Sequence, residues 1–211
     1  MHRIIKVLVY APDAEKALDE ARKVVYEKLK TTRDCGAFEY YQDFTGVPSD
    51  ASVPSDLVES IKDTFPPVLQ VSTKRFPTED HRGMDLVMSA FECMRENFKD
   101  NMRKIRCHIA NYADDELFDQ THESDDDDFD CLSLYEDPRS FLYICKRLGS
   151  QEPEDGYLFD FRGNSVTTLD EIEQILDDPD KAFRFYESEC HRDLWNQPLW
   201  VVPFAVPLPN N

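Results

Sequence analysis

The first apolar block, HRIIKVLVY at residues 2–10, is dense in Ile and Val and predicts a strand. Pro12 follows where a first-turn proline belongs, with Asp13 and Glu15 near the positive end of a helix dipole. Ala14, Ala17, Leu18, Ala21, Val24, Val25 and Leu29 then recur at three- and four-residue steps, which predicts a helix of about five turns over 12–31 with one apolar stripe. An aromatic run at 38–44 reads as a second strand, and a Pro/Ser/Asp loop at 46–54 leads to a short helix opening at Ser55. Residues 68–72 read as a short strand.

The longest periodic signal begins after Gly83. Met84, Val87, Met88, Phe91, Met94, Phe98, Met102, Ile105, Ile109 and Tyr112 follow one helical face over 83–113, which reads as a core helix packing on a sheet. Beyond it the pattern turns to strands: 141–145, then an alternating 157–161 that runs into a turn at Gly163-Asn164. Thr168-Leu-Asp-Glu171 is a capping box, in which the hydroxyl takes an end N–H and the carboxylate reaches back. It predicts a short helix with Leu169, Ile172 and Leu176 inward, followed by a helical turn or two at 182–190. The last strand, 199–206, contains Pro203, which argues for a sheet edge or a bulge. Residues 2–10 and 199–206 are apolar on both sides, so they are expected to share one sheet. The expected fold is a single α+β domain over 1–211. Its mixed, mainly antiparallel sheet is built from both chain ends and covered on one face by the two long amphipathic helices.

Charge changes this picture most. The chain of 211 residues carries a formal net charge of −19, but residues 1–110 are nearly balanced, with 18 acids and 17 bases. Residues 111–211 hold 25 acids and 7 bases. Ten of those acids fall within 114–130, a stretch without a single base, which reads as a mobile, solvated acidic loop. So lopsided a distribution argues against a uniform halophilic coat, although Asp outnumbers Glu 26 to 17 and keeps a salty cytoplasm open. A nucleic-acid mimic, which needs acids spaced along a rigid face, stands as a further alternative. Direct nucleic-acid binding is disfavoured, because the one modest basic stretch, Lys99–Arg106, lies beside the strongly anionic one. A basic protein is the better electrostatic match.

Candidate chemistry is sparse. The chain holds no GxGxxG, GxxxxGK[ST], HExxH or GxSxG sequence, and six glycines make a phosphate-cradling loop an unlikely design. The expectation therefore leans away from an enzyme, with a metal-dependent enzyme using unassigned carboxylates as the alternative. Asp126, Asp128 and Asp130 stand at the first, third and fifth positions of a calcium-loop spacing, with Asp137 at the twelfth. Cys131 occupies the position of the turn glycine, and Asp137 that of the bidentate Glu. No cofactor is expected, and divalent cations are expected to associate weakly and without selectivity. Six cysteines form no CxxC pair, and Cys107-His108 and Cys190-His191 are adjacent residues poorly placed to share one metal. The N-terminus turns acidic and helical too soon for a secretory signal, and no run reaches the ~18 apolar residues of a membrane span. A cytoplasmic location is expected.

The opening VLVYAPDAEKALDEARKVV running into FEYYQDF, with YLFDFRGNSV and the terminal LWVVPFAV, resembles uncharacterised acidic proteins of archaea and their mobile elements. The resemblance covers the two ends of the chain and implies a cytoplasmic, archaeal setting. It brings no activity with it.

Overall fold

The computed structural model describes residues 2–30, 38–49, 51–61, 65–111, 113, 158–166, 168–177 and 196–207. The chain divides into two compact units, Met1–Cys93 with Glu154–Asn211, and Met94–Pro153.

The first unit is organised by two nine-residue strands, β1 (His2–Tyr10) and β5 (Leu199–Pro207). They pair antiparallel along their whole length, from His2 opposite Pro207 to Tyr10 opposite Leu199. Runs rich in Val, Ile and Phe are apolar on both pleats, so two covered faces are the environment they need. β4 (Leu158–Phe159) joins β1 in parallel. On the far side of β5, β2 (Gln42–Asp43) pairs with residues 204–205 and β3 (Leu69–Val71) with 199–201, both antiparallel. The result is a mixed sheet of five strands, in which both chain ends lie side by side.

Both faces of the sheet are covered, rather than one. Ile5, Val7 and Val9 of β1 face α1 (Ala14–Val24), meeting Ala17, Ala21 and Val24. Leu8 and Tyr10, on the alternate pleat, face Leu86, Val87 and Ala90 of α3 (Arg82–Asn111) together with Ile172 and Ile175 of α4 (Leu169–Asp177). Near the other end of that same face, Leu57 of α2 (Ser55–Ile61) packs with Phe44 and Ala205. Periodicity tells which stripe of a helix is buried but not which side of a sheet receives it.

Several local expectations are refined. Asp13 is the N-cap of α1, its Oδ1 accepting from Lys16 N at 2.9 Å, so Pro12 precedes the cap and does not open the helix. The last turn of α1 widens into a π turn at Val25–Leu29, where Lys30 N donates to Val25 O. The strand expected at 38–44 is reduced to Gln42–Asp43. α3 spans 30 residues, near the expected bounds. Val87 of its stripe is buried, Met84 and Phe91 are half-buried, and Phe98 is 51% exposed. Its first turn crosses β3 so closely that a Cβ on Gly83 would stand 2.2 Å from Gln70 O. In α4, Ile172 and Ile175 are the buried pair, whereas Leu169 is exposed.

Pro203 is not on an edge strand, since β5 has neighbours on both sides. It stands opposite Lys6 of β1, and on the other side of β5 the paired positions are 199–201, with β3, and 204–205, with β2. Among the described residues no strand pairs with 202 or 203 there, so a residue lacking an N–H fits where the ladder has a gap. The expected strand at 141–145, the acidic residues 114–130 and the expected turn at 182–190 lie outside the described residues.

Candidate functional site

β4 runs parallel to β1 and ends at Phe159 opposite Val7, three residues before β1 ends at Tyr10, and beyond the two ends the chain departs to opposite faces. After Tyr10 it enters α1 on one side. After Phe159 it makes a tight turn and enters α4 on the other. Divergence of this kind beside parallel strands is a common ligand position in α/β sheets.

Tyr10 closes the floor of this region. Its hydroxyl donates to Ile175 O at 3.0 Å, and its ring meets Phe161 edge-on at 6.1 Å. Burial pushes its phenol well above the usual tyrosine range, with the Arg75 cation opposing and the Asp160 charge adding. Tyr10 is therefore a neutral donor, tying β1 to α4.

The turn after β4 is built on Asp160. Its Oδ1 accepts from Arg162 N at 2.9 Å and Asn164 N at 2.8 Å, and its Oδ2 accepts from the Asn164 amide at 3.1 Å. Gly163 takes φ +80°, and a Cβ there would lie 2.9 Å from Lys28 Cβ, so the turn sits directly on the π turn of α1. The chain returns through Val166 N, which donates to Leu158 O. The capping box at the start of α4 is reciprocal: Glu171 N donates to the Thr168 hydroxyl at 3.2 Å, and Thr168 N to Glu171 Oε2 at 3.1 Å. Between turn and helix lies a pocket of about 150 Å³. Asp160, Asn164, Ser165, Glu171 and Gln174 give it a polar wall, and Val166 and Ile175 an apolar floor.

A second polar cluster is structural. Asp43 is fully buried, and its Oδ2 accepts from Arg22 Nε at 2.8 Å, Arg22 Nη2 at 2.6 Å and Ser49 Oγ at 2.7 Å. Its Oδ1 accepts from Thr45 N at 3.0 Å and from the Thr45 hydroxyl. Gln42 beside it donates to Asp43 O and Val47 O, and its buried Oε1 has no hydrogen-bond partner among the described residues. The cluster pins the 43–49 loop to α1.

Asp126, Asp128, Asp130 and Asp137, the residues with calcium-loop spacing, all lie outside the described residues. Among the described residues no group of three or more His, Cys, Asp and Glu is placed to hold a metal ion, and no helix is long and apolar enough to cross a membrane. Cys93 is a half-buried free thiol and Cys107 an exposed one. The turn and the capping box are local signals visible in the sequence. They face one another across a pocket because the chain turns back beside β4, Val166 N donating to Leu158 O, before it enters α4.

The family model described as a domain of unknown function, DUF7995, matches residues 1–206, and the chain belongs to that family. No curated protein and no solved structure matches the chain.

Proposed function

We propose that this member of the DUF7995 family is a non-catalytic binding or accessory module of the cytoplasm, whose acidic C-terminal half engages a basic partner. The observation that carries this reading is the distribution of charge: residues 1–110 have a net charge of −1 and residues 111–211 one of −18. A concentration of one sign on half a chain steers oppositely charged partners over a Debye length, about 8–10 Å at moderate ionic strength. The well-ordered carboxylates support it from another side. Asp13 caps α1, Asp43 holds Arg22, Asp160 closes a turn and Glu171 completes a capping box. Each of these holds local structure, and the reading rests on the charge accumulated elsewhere in the chain.

The test is calorimetry of the full chain with oligolysine and with a neutral peptide of equal length. Oligolysine should bind at about 0.1 M salt and lose most of its affinity near 1 M, where the Debye length falls to about 3 Å. The neutral peptide should not bind. Absence of oligolysine binding at low salt, or binding indifferent to salt, would overturn the reading.

A further inference from the structure

We draw no further inference here: the strongest candidate, the fully buried Gln42 side chain beside the Asp43–Arg22 cluster, whose Oε1 has no hydrogen-bond partner among the described residues, carries none because it belongs to the structural cluster already described and nothing in the structure shows what would donate to it.

Discussion

Asp43→Asn tests the buried polar cluster by the smallest change available. The carboxylate is fully buried and takes three donors on Oδ2 and two on Oδ1. An amide offers one accepting oxygen, so whichever way it turns, its NH₂ faces donors. On one side these are Arg22 and Ser49, on the other the N–H and hydroxyl of Thr45. The hydroxyls can rotate, but the guanidinium and the backbone N–H cannot accept. Hydrogen bonds to charged groups are worth about 1.5–3 kcal/mol each, and breaking a buried ion pair by removing one partner costs about 3–5 kcal/mol. Arg22 is 30% exposed, which allows water to recover part of its loss, so about 3 kcal/mol is expected for Asp43→Asn. That is a large share of the roughly 5–15 kcal/mol that stabilises a domain. Urea unfolding followed by tryptophan fluorescence is a suitable assay, because the Trp200 indole N–H donates to Ala11 O at 2.9 Å inside the sheet. With a slope of about 1–3 kcal/mol per molar, the midpoint should fall by at least about 1 M. In a double-mutant cycle, Arg22→Gln should then add little on the Asp43→Asn background, giving a coupling above about 1 kcal/mol. A midpoint within about 0.3 M of wild type, or strict additivity, would refute a clamp between α1 and the 43–49 loop.

Four further outcomes follow from the same structure. Tyr10→Phe leaves the Ile175 carbonyl without its donor and should cost about 1–2 kcal/mol in the same unfolding assay. Asp80, whose carboxyl is held down to about 2 by the Arg82 guanidinium and backbone N–H, should titrate there by NMR. Because its folded value is depressed, its contribution is present above the ordinary carboxylate range and is lost as pH falls toward 2. Arg82→Gln should return it towards 3.8, and a value unmoved by that change would exclude the arginine as cause. Truncation after Pro179 removes β5, the strand that pairs with β1, β2 and β3, and should abolish cooperative melting; a truncated chain that keeps its near-ultraviolet signal would count against a single folding unit. Calcium, magnesium and zinc should each bind weakly in calorimetry, and micromolar binding of one ion lost in Asp126→Ala or Asp128→Ala would replace the binding-module reading with a metal site.

The sequence alone determined what depends on neighbours within a turn or two. The stripe of α1, the extent of α3, the reciprocal Thr168–Glu171 cap and the turn at Gly163-Asn164 are short-range consequences of side-chain spacing, hydrogen-bonding groups and a positive φ. The pairing of β1 with β5 was legible too, because two strands apolar on both pleats have few other ways to leave water. Tertiary structure decided the rest. Helices settle on both faces because each pleat of β1 needs its own cover, and a stripe carries no label for the face it will meet. Pro203 occupies a central strand because β2 and β3 divide the edge of β5 and leave an unpaired interval, a register that only the assembled sheet defines. The pocket likewise needs more than the motifs: Asp160 and Glu171 look like separate turn and cap residues until the return of the chain beside β4 sets turn and helix against each other.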